Sequence, residues 1–381
     1  MLTFLAYAMV TVFMTLIMTK RMSPLTALIL VPIAFGVAGG FGLELGAMML
    51  AGIGRLAPTG VMLMFAILYF GVMIDAGLFE PFIARVVRLV HGDPVKVVLG
   101  TAALALLVSL DGDGSTTYMV TTAAMLPLYR RLGMRPLVLA CTTMLASGVM
   151  NTLPWGGPTA RAASALGVDV SDVFVPMIPA LAAGVLWVLY VSYRLGLNER
   201  GRLATAAPDS PLNVAVLDEE EANPSYQPDT EHRRPRVLYI NGILTAALLV
   251  ALISALLPLP VLFMIAFALA ILLNYPSVEE QKALLSRHAG NALAVVGLIF
   301  AAGIFTGILT GTKMVDAMAG SVINLVPPAL GPYLAVVTGF LSIPFTFLIS
   351  NDAFYFGVLP VLAKAGEAYG ISAAEMARAS L

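Results

Sequence analysis

The chain has 381 residues, of which 59% are hydrophobic and 11% charged, and its formal net charge is −1. Soluble domains carry about 25% charged residues, so this composition excludes a soluble globular protein and indicates a polytopic membrane protein. The balanced charge indicates no nucleic-acid partner. The single cysteine excludes an internal disulfide and a cysteine-based metal cluster.

Apolar runs of about the length that a membrane span needs dominate the beginning of the chain. They cover residues 2–19, 24–40, 58–77 and 95–110. The intervening residues 41–57 are rich in glycine and carry Glu44 and Arg55, which predicts a partly embedded or interfacial segment. Residues 79–94 mix apolar and charged side chains and predict an interfacial amphipathic helix.

The stretch Leu-Asp-Gly-Asp-Gly-Ser-Thr-Thr-Tyr at 110–118 places Asp111 and Asp113 between apolar segments. A charged side chain at membrane depth costs about 2.5–3.5 kcal/mol and usually marks an ion or substrate pathway. Arginines before and after the stretch predict that the chain enters and leaves on the cytoplasmic side. We expect a re-entrant hairpin with Asp111–Ser115 at its tip. The alternative is an extramembrane Asp-Gly turn.

A helix predicted at 136–150 is interrupted by Asn-Thr-Leu-Pro-Trp-Gly-Gly-Pro-Thr-Ala-Arg at 151–161. The two prolines and two glycines forbid a continuous helix, so we expect a discontinuous one, with a Pro-kinked packing helix as the alternative. Another span follows at 176–193. Residues 196–236 are polar and contain proline, which predicts a disordered cytoplasmic linker.

The second half repeats the first. It has apolar runs at 237–257, 259–275, 288–310 and 329–349, and then a second polar tip at Ser350–Asp352, for which the alternative is a helix cap at the membrane surface. An offset of 237 residues aligns Gly133 with Gly370 and superimposes the two tips. Opposite charge bias on the loops that follow predicts inverted repeats at 1–195 and 237–381. The counterpart of 151–159 falls beyond residue 381, so we expect the second broken helix to be missing.

Four stretches carry a resemblance to a known family, namely MTKRMSPLTALILVP at 18–32, MFAILYFGVMIDAGLFEP at 64–81, SLDGDGSTTYMVTTAAMLPLYRRLGM at 109–134 and GVMNTLPWGGPTARAASALGVD at 148–169. They closely resemble the citrate–divalent-metal:proton symporter family (CitMHS), across nearly the whole chain. The resemblance implies the all-α fold of the ion-transporter superfamily. That fold has two inverted repeats, each with a re-entrant hairpin and a discontinuous transmembrane helix, usually in a homodimer.

The resemblance also implies a secondary transporter of the bacterial inner membrane. Such a transporter takes up citrate complexed with a divalent cation of the Mg²⁺ or Ca²⁺ type, driven by protons and with no resident cofactor. The metal-binding candidates are Asp111, Asp113 and Asp352, because carboxylates are the hard oxygen ligands that these ions prefer. Carboxylates held close together also bind protons more readily. For Asp113 the alternative is a helix cap.

Substrate contacts are expected from the polar residues of both tips and of the helix break. These candidates are Ser115, Thr116, Asn151, Thr152, Gly156, Gly157, Thr159, Arg161, Ser350 and Asn351. Backbone N–H groups freed at the start of a half-helix suit a carboxylate ligand. Arg161 is either a bidentate partner for a citrate carboxylate or an interfacial anchor.

Two other functions stay open. A cation:proton antiporter or oxyanion exporter of the same superfamily would also use buried carboxylates, but Arg161 and the hydroxyl-rich tips favour an organic anion. A membrane-embedded enzyme would need a nucleophile–base pair or a metal motif such as H-E-x-x-H within the spans. The sequence contains neither, so it predicts a transporter.

Overall fold

The computed structural model describes residues 2–90, 92–112, 114–205, 235–254, 257–327, 329–348 and 351–381. These residues form α-helices and short 3-10 or π-helical turns with no β-strand among them, which confirms the predicted all-α class. The helices of the first half are α1 (Leu2–Met18), α2 (Pro24–Ala38), α3 (Leu45–Asp75), α4 (Glu80–Val90), α5 (Pro94–Val108), α6 (Gly114–Arg131), α7 (Pro136–Met150), α8 (Gly157–Leu166), α9 (Val170–Phe174) and α10 (Ile178–Thr205). Those of the second half are α11 (Pro235–Ile253), α12 (Leu259–Asn274), α13 (Val278–Gly311), α14 (Met314–Leu325), α15 (Leu334–Leu348), α16 (Leu359–Glu367) and α17 (Ala373–Ala379).

Several of these helices have the dimensions of membrane spans. Five described segments are long and apolar enough to cross a bilayer, at Leu45–Asp75, Pro94–Asp111, Val170–Thr205, Val278–Gly311 and Gly331–Leu348. Shorter apolar helices of 10–17 residues, among them α1, α2 and α12, accompany them. These are the helices of a multi-pass membrane protein.

The helices recur at the offset of 237 residues. Shifted by that offset, α3 falls on 282–312, close to α13, and the first residue of α7 falls on Ala373, where α17 begins. The contacts between helices follow the same repeat. Helix α3 contacts α13 and α12, and α13 contacts α3 and α2, the helix that the offset places on α12. This is the contact pattern expected of two equivalent units. Their inverted orientation in the bilayer stays a prediction.

Residues 41–57 are not a separate interfacial segment, contrary to the prediction. From Leu45 onward they continue into the next span as the single helix α3, and Pro58 lies inside it. Packing against α13 holds this helix in place, because a side chain at Gly52 would overlap the carbonyl oxygen of Gly303. Small residues that let two helix backbones touch are typical of membrane helix interfaces.

The predicted linker also begins later than expected, because α10 continues through residues 196–205. Fully buried Glu199 helps to hold this end of the helix against the rest of the first half. Its carboxylate accepts hydrogen bonds from the guanidinium of Arg135 at 2.6 Å and from that of Arg202 at 3.0 Å. The other linker residues, 206–234, lie outside the described residues, and α11 begins at Pro235.

Candidate functional site

The first polar tip joins two helices, as the sequence predicted. Helix α5 ends at Val108, a 3-10 turn covers Ser109–Asp111, and α6 begins at Gly114. Gly112 has a φ of +76°, a left-handed conformation that glycine adopts without strain. The hydroxyls of Ser109 and Thr117 lie 2.9 Å apart and tie the two arms together.

The candidates at this tip differ in burial. Asp111 is buried, Thr116 is half-buried and Ser115 is exposed. Asp113 lies outside the described residues. The structure thus places a carboxylate out of solvent at this turn, and its role as an ion site stays a prediction.

The predicted interruption of the next helix is present. Helix α7 ends at Met150 and α8 begins at Gly157. The Thr152 hydroxyl donates to the carbonyl of Val149 at 2.8 Å, and a side chain at Gly156 would overlap the carbonyl of Asn151. The backbone therefore folds back on itself at the break, which only glycine at position 156 permits. Thr159, fully buried, directs its hydroxyl to the same Asn151 carbonyl at 3.4 Å.

The first tip contacts the break through Trp155. Its indole N–H donates to the carbonyl of Leu110 at 2.8 Å. A Cβ atom on Gly112 would lie 2.6 Å from Trp155 Cδ1, so the indole rests directly on the tip backbone. Trp155 is only 4% exposed and packs against the rings of Phe70 and Phe263. Trp155 is thus a packing contact between the break and the first tip.

The second tip contacts the same broken helix through an ion pair. The guanidinium of Arg161, in α8, donates from Nε to Oδ1 of Asp352 at 2.6 Å. Both side chains are mostly buried, with 25% and 16% of their surface exposed. A Cβ atom on Gly157 would lie 2.7 Å from Arg161 Nη1, so this glycine makes room for the guanidinium. Arg161 is therefore paired with the second tip, and its role in binding a carboxylate stays a prediction.

The broken helix therefore contacts both tips. Trp155 contacts the first tip and Arg161 the second, with Asn351 exposed beside Asp352. Ser350 lies outside the described residues. No group of three or more His, Cys, Asp or Glu side chains that could hold a metal ion occurs among the described residues. The metal-binding role of the three aspartates thus stays a prediction.

Two features of the site carried no clear sequence signal. One is the hydrogen bond from Trp155 to the first tip. The other is the π-helical turn Ala353–Val358 that follows Asp352, which is rare in proteins and is often found at functional sites. Within it, buried Tyr355 donates its hydroxyl proton to the carbonyl of Ser380 at 3.3 Å, which ties the second tip to the end of α17.

The family model described as "Citrate transporter" (CitMHS) matches residues 13–381. The chain belongs to this citrate transporter family. It is a transporter and not an enzyme. It is similar to two proteins of Bacillus subtilis (strain 168): it is 58% identical over 381 residues to one described as "Citrate transporter", and 50% identical over 382 residues to one described as "Mg(2+)/citrate complex secondary transporter". Each alignment covers 100% of this chain and 87% of the relative.

A solved structure shares the fold of this citrate transporter family member. The YdaH transporter of Alcanivorax borkumensis superimposes with a TM-score of 0.61 over 89% of this chain and 76% of that chain. At 17% sequence identity this similarity concerns the fold alone. It agrees with the all-helical fold and carries no statement about the ligand.

Proposed function

We propose that this protein takes up citrate as a complex with a divalent cation, in symport with protons, across the bacterial cell membrane. The observation that carries the proposal is the ion pair between Arg161 and Asp352, where the broken helix meets the second tip. A ligand that presents both a carboxylate and a cation can replace each partner of this pair in turn. The citrate carboxylate takes the place of Asp352 on the guanidinium, and the metal takes the place of Arg161 on the carboxylate.

The charge of the ligand supports the complexed form. Free citrate carries about three negative charges at neutral pH, because its carboxyl groups ionise well below pH 7. Asp111 is buried at the first tip and Asp352 pairs with Arg161, so a bare trianion that approached either carboxylate would meet repulsion. A bound divalent cation lowers the ligand's charge and offers these aspartates a hard ion to coordinate.

The same ion pair suits a carrier that returns without cargo. Burying a lone guanidinium or carboxylate at membrane depth costs desolvation free energy, and pairing with the opposite charge reduces that cost. Arg161 and Asp352 neutralise each other when no substrate is held, and the complex neutralises both when it is. An aspartate left without a cation binds a proton more readily when it is buried, which is how we expect the proton gradient to be coupled.

The remaining parts of the proposal follow from the family resemblance. The protein works as a homodimer in the inner membrane, and the cation enters as cargo with citrate and not as a resident cofactor.

The test of the proposed function is uptake of radiolabelled citrate into proteoliposomes with an inward proton gradient, with added Mg²⁺ or Ca²⁺ and with excess chelator. We expect uptake only with metal present. Undiminished uptake in chelator would mean that free citrate is the substrate.

A further inference from the structure

A cavity of about 280 Å³ lies at the junction of α3, α8, α13, α14 and α16. Polar side chains from each of these helices line it. They are Arg55, Ser164, Thr306, Asp316, Lys364 and Glu367. A concave surface with a few convergent polar groups is the usual form of a small-molecule site.

One of these lining groups has an unmet hydrogen-bonding capacity. Ser164 is 1% exposed, and its hydroxyl has no hydrogen-bond partner within the described part of the chain. A buried hydroxyl without a partner is destabilising. An oxygen-rich ligand that reached this hydroxyl from the cavity would remove that cost.

The cavity offers charges of both signs. Lys364 lies 2.6 Å from the carboxylate of Glu367 and 3.6 Å from that of Asp316, and these three side chains are 40–48% exposed. Arg55 also lines the cavity and is exposed. Its side chain packs against Gly167, where a Cβ atom would lie 2.7 Å from Arg55 Cδ. A cation bound to a polycarboxylate is a ligand that matches both kinds of group.

One helix, α8, carries both Arg161 and the cavity-lining Ser164. Ser164 lies three residues beyond Arg161 on α8, so the two side chains lie on the same face about one turn apart. With the arginines after α6 on the cytoplasmic side, as the sequence predicts, this end of α8 lies on the extracytoplasmic side.

The charged side chains that line the cavity are not repeated in the first half of the chain. Phe79 and Pro127 occupy the positions equivalent to Asp316 and Lys364.

We propose that this cavity is an extracytoplasmic vestibule that binds the cation–polycarboxylate complex before it reaches Arg161. Arg55, Lys364 and the Ser164 hydroxyl hold the carboxylate oxygens, and Asp316 and Glu367 face the cation. The inference rests on the proposed function, because it assumes that the complexed anion is the cargo.

Equilibrium binding of radiolabelled citrate with Mg²⁺, measured on the full chain in lipid nanodiscs, tests the vestibule directly. We expect two sites per protomer in the unmodified protein and one in Arg161→Gln. In the double variant Arg161→Gln/Arg55→Gln the remaining site binds about tenfold more weakly. In proteoliposomes, Arg55→Gln raises the KM for Mg²⁺–citrate about tenfold, as the loss of one charge-assisted hydrogen bond does, and keeps the maximal rate within about twofold.

Two matched variants separate a ligand contact from a structural effect. Arg85→Gln changes an exposed arginine of α4 outside the cavity, and Ser192→Ala removes another buried serine hydroxyl without a partner among the described residues. Both keep the KM of the unmodified protein. Ser164→Ala weakens binding while the thermal midpoint of the ligand-free protein stays the same or rises, because an unpaired hydroxyl is removed.

The possible failures are distinguishable. A single site in a transport-competent unmodified protein, or a KM in Arg55→Gln equal to that in Arg85→Gln, overturns the vestibule and leaves the proposed function intact. If the unmodified protein neither binds nor transports Mg²⁺–citrate, both proposals are overturned.

Discussion

The guanidinium of Arg161 lies 2.6 Å from the carboxylate of Asp352, although the two residues are 191 positions apart in the chain. This pair links the broken helix of the first half to the hairpin tip of the second. In the proposed function each partner anchors one part of a metal–citrate complex, and each neutralises the other when the site is empty.

Removing either charge of this pair is expected to abolish uptake. Arg161→Gln and Asp352→Asn each leave one charge mostly buried and unpaired, so we expect citrate uptake to fall at least about a hundredfold and the thermal midpoint to fall as well. The double variant regains the thermal midpoint, because no charge is left unpaired, but not the uptake. Uptake assays and thermal melts of purified protein check this.

The control for this experiment is another ion pair of similar length. Arg200 and Asp93 lie 2.6 Å apart but are 52% and 28% exposed, away from the site. Exposed pairs contribute little to stability, so Arg200→Gln leaves uptake within about twofold. Recovery of transport in the Arg161/Asp352 double variant would show that the pair is structural and does not bind the ligand.

Gly157→Ala is expected to weaken citrate binding without unfolding the protein. The new methyl group lies 2.7 Å from Arg161 Nη1, at the flexible end of the side chain, so the guanidinium moves away and the backbone does not. We expect about tenfold weaker binding of Mg²⁺–citrate by equilibrium dialysis. Gly148→Ala is the control, because nothing lies within 4 Å of its Cβ position. Equal affinities in the two variants would contradict the role given to Arg161.

Trp155→Phe tests the contact between the first tip and the break. The substitution keeps an aromatic ring against Phe70 and Phe263 but removes the hydrogen bond to the Leu110 carbonyl. The net loss of about 1 kcal/mol is expected to lower the thermal midpoint by a few degrees and to slow uptake several-fold. Trp187 is 59% exposed, so Trp187→Phe changes neither quantity. If the Trp155 and Trp187 variants behave alike, the indole does not position the tip.

A substitution at the interface between α3 and α13 is expected to affect folding alone. Gly52→Ala forces a methyl group against the backbone of Gly303, which cannot move without separating α3 from α13. Overpacking of this kind costs about 1–3 kcal/mol or more, so the thermal midpoint and the yield of folded protein fall. Gly54 has nothing within 4 Å of its Cβ position, and Gly54→Ala is expected to be neutral or slightly stabilising. A folded Gly52→Ala variant of unchanged stability would mean that the two helices do not touch here.

Local features of the sequence predicted the parts of this site that depend on local chemistry. The glycines and carboxylates of the first tip, and the prolines and glycines of 151–161, indicated where the helices end. The contacts of Trp155 with Leu110 and of Arg161 with Asp352 join residues 45 and 191 positions apart, so no local pattern encodes them. The uninterrupted α3 has the same explanation. The glycine-rich start of α3 predicts an irregular backbone unless the packing of Gly52 on α13 is known.

Co-transport in a single vesicle population tests the central claim most directly. Proteoliposomes containing the unmodified protein receive radiolabelled citrate together with radiolabelled Mn²⁺ or Ca²⁺, under an inward proton gradient, and both labels are counted in the same sample. Carboxylate ligands suit both ions. We predict that citrate and metal accumulate in equal amounts, and that neither enters the Arg161→Gln vesicles. Accumulation of citrate without either metal would contradict uptake of the complex.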